Sequence, residues 1–555
     1  MKLVIVGGVA GGASAAARAR RVDESAEIVL FERGEHISFA NCGLPYYIGE
    51  EIEERDSLLV STPQAMSERF NIDVRVNSEV VDVDSKGKTI EVKAGGGETY
   101  RESYDKLILA PGAKPVRPPL PGIDLDNVFT LRNIPDMDRI IACLRECQAQ
   151  SATIVGGGFI GLEMAENLCN KGVKVTIVEM IDQVMAPFDA DMAAYIHNHL
   201  RDKGVRLVLE EAVESFEKKE KTIVRTSKGT KIETDMVVLS IGVKPETDLA
   251  KKAGIELGET GGILTGPDMR TTDPDIYAVG DAVEVEDVVS GGKSLLPLAG
   301  PANKQGRIAA DNALGKKDEF AGVQGTSVVK VFDLTAACTG NNEKNLQNRG
   351  IHYRASYTHS FSHASYYPGA QRMAVKLLFS PDSGKVLGAQ VIGRKGVDKR
   401  VDVFATAVRA GMTVYDLEEV DLGYAPPYGS AKDPVNIAGY VAVNILKGDM
   451  EVVMWHQVDG LDPEKYTVLD VRGAEEIEEH GKIDNALHIP VNDLRSRLHE
   501  LDKNKTYAAY CAIGLRSYIA YRILVQNGFM ARNISGGYAS YYEPTRDRKA
   551  REAKE

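Results

Sequence analysis

The sequence predicts an α/β protein of several domains, and three observations carry that reading. Two strand–glycine turn–helix–strand units begin at Leu3 and Thr153, about 150 residues apart. Each unit closes on an acid, Glu32 after the strand Glu27 to Phe31 and Glu179 after the strand Lys174 to Val178. Near the C-terminus a third strand, Thr506 to Tyr510, delivers Cys511 to a turn that runs into a helix from Ser517 to Asn527. A chain of 555 residues is too long for one core and reads as three or four domains.

Composition narrows the function. Hydrophobic residues make up 43% and charged residues 26%, the profile of a globular chain with real interiors. The net charge of -13 argues against nucleic acid as a partner, since phosphate binding wants clustered Lys and Arg. Apolar runs such as Leu3 to Val6 and Met236 to Leu239 are strand-sized, so no membrane span is expected. The opening Lys2 to Val6 reads as a buried strand and not a cleavable leader, and the expected location is cytoplasmic.

In the first unit Leu3 to Val6 leads into Gly7-Gly8-Val9-Ala10-Gly11-Gly12 and the alanine-rich helix Ala13 to Arg20. The glycines permit a sharp turn and close helix packing. The helix N-terminus suits a pyrophosphate, and the terminal acid suits ribose hydroxyls. Val9 stands where the usual fingerprint has its middle glycine. The second unit carries a full G-x-G-x-x-G, Gly156-Gly157-Gly158-Phe159-Ile160-Gly161, before the helix Leu162 to Asn170. Two such units suggest two nucleotide sites.

Six cysteines spread over the chain are not a disulfide framework. Cys143 and Cys147 fall in a predicted helix from Met137 to Gln150 without metal-ligating neighbours. Cys169 and Cys338 read as packing residues, and no metal site is expected. Cys42 and Cys511 stand apart. Cys42 lies in Ser38-Phe39-Ala40-Asn41-Cys42-Gly43-Leu44-Pro45-Tyr46-Tyr47, just after the first unit.

Around the glycine turns, Tyr104 to Gly112, Asp235 to Gly242 and Thr271 to Asp281 complete a pattern that resembles the pyridine nucleotide-disulfide oxidoreductases. The resemblance implies two Rossmann-like dinucleotide-binding domains. FAD would be held by Gly7, Gly8, Val9, Ala10, Gly11, Gly12, Glu32, Arg33, Asn41, Ala110, Gly112, Gly280, Asp281 and Ala299. NADH would be held by Gly156, Gly158, Phe159, Ile160, Gly161, Glu179 and Gly242, with Glu179 disfavouring the 2′-phosphate of NADPH.

Family members with two redox cysteines space them C-x₄-C, whereas here Tyr47 occupies the second position. A single thiolate must then cycle through a mixed disulfide, a persulfide or a sulfenic acid. The segment resembles the single-cysteine branch: coenzyme A-disulfide reductases, persulfide reductases and NADH peroxidases or oxidases. That resemblance implies coenzyme A contacts at Ser14, Arg18, Arg21, Ser38, Asn41 and Tyr428. A solvated basic helix face is the competing reading of the arginines. The stretch 322–445 resembles the family's α+β dimerisation domain, which implies a homodimer. In its two tyrosine-bearing loops Tyr366 or Tyr367, together with Tyr424, is expected to donate a proton or hydrogen bond to a departing sulfur. Packing is the competing role for at least two of the four tyrosines.

Further on, Asp470-Val471-Arg472, the loop Cys511-Ala512-Ile513-Gly514-Leu515-Arg516 and Gly536-Gly537 resemble a rhodanese domain. Backbone N–H groups and Arg516 would cradle an anionic persulfide on Cys511. Phosphatases of similar shape carry one more residue in this loop, so the shorter loop favours sulfur. Gly481 to Ala486 departs from the family's usual turn. The expected domains are FAD-binding over 1–148 and 252–321, NADH-binding over 149–251, dimerisation over 322–445, a linker over 446–463, a rhodanese-like domain over 464–545 and a charged, solvated or frayed tail over 546–555.

The implied activity is NADH-driven, FAD-dependent reduction of coenzyme A persulfide, other small persulfides, polysulfide or coenzyme A disulfide, with the rhodanese domain handling sulfane sulfur. Two rivals remain at this point. One is an NADH peroxidase or oxidase using a Cys42 sulfenic acid. The other is a redox-sensing protein that delivers sulfur from Cys511.

Overall fold

In the computed structural model the strand Lys2–Val6 lies at the centre of a five-stranded parallel sheet. Glu27–Phe31 and Lys106–Leu109 flank it, pairing Ile5 with Leu30 on one side and Ile108 on the other. Central parallel strands are covered on both faces, so continuous apolar runs form them. Leu3, Val4, Ile5, Leu30, Leu107 and Ile108 are accordingly all inaccessible to solvent. The structure describes residues 1–553.

A second parallel sheet has Ser151–Val155 at its centre, between Lys174–Val178 and Met236–Leu239. One of its two edge strands is Val128–Thr130, followed by the helix Ile134–Glu146. The expected boundary at 148 is therefore too late, because this edge strand hydrogen-bonds to the second sheet and not to the first. Cys143 is buried on that helix, and Cys147, exposed, follows its last turn.

The chain divides into two compact units, Met1–Ile181 with Val205–Val323, and Asp182–Gly204 with everything from Gln324 onward. The second unit holds an antiparallel five-stranded sheet, from Ser327–Val331 to Arg354–Phe361, and a parallel sheet built on Thr506–Tyr510. Val452–Val453, in the expected linker, pairs with Met530–Ile534 as the edge of that parallel sheet. Two residues are too few to show a strand period in sequence.

The expected solvated tail is also different. The helix Gly537–Glu552 packs on the helix Ala190–Asp202, and Asp547 is buried between His197 at 3.1 Å and Arg201 at 2.6 Å. Alternating charge reads as solvated locally, but Asp547 finds a buried partner, His197, far away in sequence. Positions 554 and 555 of the expected tail lie outside the described residues. Among the described residues no helix is long and apolar enough to cross a membrane.

At the heart of the second unit, Lys376 is fully buried against Asp189, Asp191 and Glu343, each at 2.9 Å. Trp455 donates its ring N–H to Asp191 at 3.3 Å, tying the start of the C-terminal domain to this cluster.

Candidate functional site

Both glycine turns are closed by backbone contacts that admit no side chain. A Cβ on Gly7 (φ +102°) would lie 2.1 Å from the Ala110 carbonyl oxygen, and one on Gly12 only 1.8 Å from the Gly7 oxygen. The second turn repeats this, with Gly156 (φ +104°) against the Ser240 oxygen and Gly161 against Gly156. At Gly158 a Cβ would meet nothing within 4 Å, so that glycine serves no packing need and leaves room for close approach of a ligand. Glu32 accepts the Gly8 and Gly34 N–H groups, each at 2.8 Å. Glu179 accepts those of Gly157 at 2.8 Å and Ile181 at 3.1 Å. The acids thus stand at the turn mouths, beside the helices Ala10–Val22 and Phe159–Asn170, where dinucleotides fit.

Gly112, Gly242 and Gly280 all have positive φ and turn the chain at strand ends. Gly280 donates its N–H to Gln305 at 2.7 Å, on the helix that begins at Ala299. Burial raises the pKa of Asp281, opposed by the charge of Arg132. Arg33 grips Glu246 with two nitrogens at 2.9 and 2.7 Å, and Arg132 meets the same carboxylate at 2.6 Å.

Cys42 sits in the 3-10 turn Asn41–Gly43, before the helix Leu44–Ile48, and is exposed. Asn41 Oδ1 accepts its backbone N–H at 3.1 Å, and Ser38 is held at a left-handed φ of 46°. Although the thiol reaches solvent, crowding by protein atoms raises its pKa, and the carboxylates of Glu163 and Asp281 add to the effect. Glu163 was not legible as a site residue. It lies two residues past Gly161 on the same helix and accepts the Tyr46 hydroxyl at 3.1 Å. Burial, then the nearby Glu166, pushes its carboxyl up to about 7.

Three of the expected coenzyme A residues, Ser14, Arg18 and Arg21, fall on the helix Ala10–Val22, with differing commitments. Ser14 donates to Asn303. Arg18 pairs with buried Asp311 through Nε at 3.0 Å and Nη2 at 2.9 Å, whereas Arg21, among the described residues, bonds its own helix at the Ala17 carbonyl. Arg20 is spent on four backbone carbonyls, of Phe70, Asp23, Glu24 and Asn71.

In the second unit the hydroxyls of Tyr366 and Tyr424 are 2.8 Å apart, and both rings are exposed. Tyr367 instead packs edge-on to His363, while Tyr428 is exposed at a turn. Buried Arg400 holds both loops, bonding Asp433 at 2.7 Å and the Ser362 carbonyl at 2.9 Å.

Cys511 is fully buried at the end of Thr506–Tyr510. Its sulfur accepts the Gly514 N–H at 3.2 Å and the Ser517 hydroxyl at 3.6 Å. Gly537 must be glycine, since a Cβ would lie 2.4 Å from the Cys511 carbonyl oxygen. Arg472 pairs with Asp470 at 2.7 Å, stacks on Tyr538 and donates to the Gly481 carbonyl at 2.8 Å. In the departing turn Asn485 adopts φ 59°, a left-handed conformation that asparagine tolerates best after glycine. Arg516 does not point into empty space: both its terminal nitrogens meet Glu476, at 2.5 and 2.7 Å. Among the described residues no group of three or more His, Cys, Asp or Glu is arranged to hold a metal.

Family models match along the chain: pyridine nucleotide-disulphide oxidoreductase over 1–306, its dimerisation domain over 326–433 and a rhodanese-like domain over 457–544. A coenzyme A disulfide reductase of Staphylococcus haemolyticus is 35% identical over 443 residues, covering 80% of this chain and 99% of that protein. The crystal structure of reduced Bacillus anthracis CoADR-RHD is 50% identical, with a TM-score of 0.96 over 99% of this chain and 98% of its own. The NAD-dependent persulfide reductase from A. fulgidus is 39% identical, with a TM-score of 0.93 over 98% of this chain and 100% of its own. With two dinucleotide turns, a lone cysteine after the first and a rhodanese-like domain behind the dimerisation domain, the chain belongs to the pyridine nucleotide-disulphide oxidoreductase family.

Proposed function

We propose that this protein uses NADH to reduce persulfides and disulfides of coenzyme A, and related small persulfides or polysulfide, at Cys42. The observation that carries this reading is the exposed thiol of Cys42, with Tyr47 and not a second cysteine five positions on. The Gly7 turn would hold FAD and the Gly156 turn NADH, which together would supply two electrons at Cys42. The chain's own residues do the rest. The Cys42 thiolate attacks the outer sulfur of a persulfide R–S–SH, the S–S bond breaks, and RS⁻ leaves. The new Cys42 persulfide takes up the two electrons, releasing HS⁻ and restoring the thiolate. With a disulfide the same attack gives a mixed disulfide, and the second thiolate leaves on reduction.

Ser14, Arg18, Arg21, Ser38, Asn41 and Tyr428 serve coenzyme A in this reading. A homodimer brings the Tyr366–Tyr424 pair of one subunit to its partner's Cys42, where a phenol protonates the departing sulfur. The dimerisation-domain match supports that assembly, and a cytoplasmic setting suits a thiol-dependent reductase. Cys511 accepts sulfane sulfur from donors that do not reach Cys42. The purified protein should be yellow and prefer NADH to NADPH, with turnover on coenzyme A persulfide far above that on hydrogen peroxide. Faster turnover on peroxide would instead favour a Cys42 sulfenic acid cycle, and no multiple turnover with any sulfur acceptor would favour a sensing role.

A further inference from the structure

The Cys511 cradle has a charge pattern that its sulfur-handling role leaves unexplained. Arg516 lies in the first turn of the helix Leu515–Gln526, where a cation opposes the positive end of the helix dipole. Glu476 offsets this, meeting both terminal guanidinium nitrogens at 2.5 and 2.7 Å. Its carboxylate is further fixed by the Gly473 N–H at 3.3 Å, because Glu476 also caps its own helix, Ala474–His480. Glu475, Glu478 and Glu479 are exposed on that helix, and exposed Leu515 and Ile519 share one face of the helix after Cys511. The loop arginine thus divides its charge between Glu476 and the Cys511 sulfur, in acidic and apolar surroundings.

We infer that Glu476 is a specificity-determining residue that biases Cys511 against doubly charged sulfane donors, such as thiosulfate, and toward singly charged or neutral organic persulfides. This inference rests on the sulfur-handling role proposed for Cys511. In the favoured transfer the Cys511 thiolate attacks the outer sulfur of R–S–SH, forming Cys511–S–SH as the donor S–S bond breaks and RS⁻ leaves. One negative charge is present before and after. The same attack on thiosulfate expels sulfite and gathers three negative charges at a cradle whose guanidinium is already paired. Glu476 acts through Arg516 and is a positioning residue.

The test is sulfur transfer to cyanide by the full-length protein without NADH, so that Cys42 reduction plays no part. kcat/KM is measured for thiosulfate and for 2-mercaptoethanol persulfide, whose carrier thiol bears no charge of its own. Glu476→Gln should raise the thiosulfate-to-persulfide ratio roughly tenfold, the scale of one charge-assisted contact released. Glu476→Asp, which keeps the charge, should stay near the native ratio. In the native protein, added salt should raise thiosulfate kcat/KM by screening the acidic helix, a readout that needs no variant to fold. A ratio unmoved in Glu476→Gln, or thiosulfate kcat/KM that falls with salt, overturns the inference while leaving sulfur handling intact. No transfer from either donor to native Cys511 overturns both.

Discussion

The Tyr46 hydroxyl donates to Glu163 Oε1 across 3.1 Å, joining the short helix after Cys42 to the helix that follows the second glycine turn. Burial pushes that carboxyl up to about 7, and its charge, after desolvation, raises the Cys42 pKa. Protonation of Glu163 near neutrality therefore eases formation of the Cys42 thiolate. Glu163→Gln should move the midpoint of Cys42 alkylation by iodoacetamide to lower pH, read from labelling rate against pH. An unmoved midpoint would remove Glu163 from the thiol's electrostatics.

Arg18 and Arg21 occupy one helix but should fail differently. Arg18 is paired to Asp311, whose side chain is only 4% exposed, and Arg21 is not. Either arginine to alanine should raise KM for coenzyme A substrates about tenfold and spare inorganic polysulfide. Arg18→Ala alone should also lower stability, by about 1–3 kcal/mol, since it leaves a buried carboxylate with only the distant Lys316, at 4.0 Å, as its cation. Kinetics and thermal unfolding of the two variants separate these effects. Equal losses on polysulfide would make both arginines structural.

Acid should loosen the seam between the strand Arg354–Phe361 and the C-terminal helix, where His359 Nε2 meets Ser540 Oγ at 2.9 Å. Burial, then the charge of Arg372, lowers the His359 pKa to about 4. A depressed histidine binds fewer protons folded than unfolded. Its contribution is complete above the ordinary value of about 6.5 and is lost as pH falls toward 4, at roughly 1.4 kcal/mol per pH unit. Urea midpoints at pH 7 and pH 5 should therefore diverge less in His359→Gln than in the native protein. Equal divergence would place the acid sensitivity elsewhere.

The sequence made legible whatever depends on local spacing. The glycine turns, the acids Glu32 and Glu179, the strand-borne Cys511 and the solitary Cys42 all follow from residues within about 25 positions of one another. What it hid depends on distant partners. Glu476 and Arg516 are 40 residues apart, and Tyr46 and Glu163 are 117 apart. The final helix read as a loose charged tail because the carboxylate of Asp547 finds His197 across 350 positions. Tyr366 and Tyr424 were singled out by the loops they occupy, but their mutual hydrogen bond required the fold that Arg400 braces.

The division of labour between the two thiols is the central claim, and one set of assays reaches it: NADH consumption and sulfide release by Cys42→Ser and Cys511→Ser, with coenzyme A persulfide, a protein-bound persulfide and polymeric sulfur as donors. Cys42→Ser should abolish NADH-dependent reduction of every donor while sulfur transfer at Cys511 survives. Cys511→Ser should keep most turnover on coenzyme A persulfide and slow it on the protein-bound and polymeric donors. Sustained NADH-dependent sulfide release by Cys42→Ser would contradict the account.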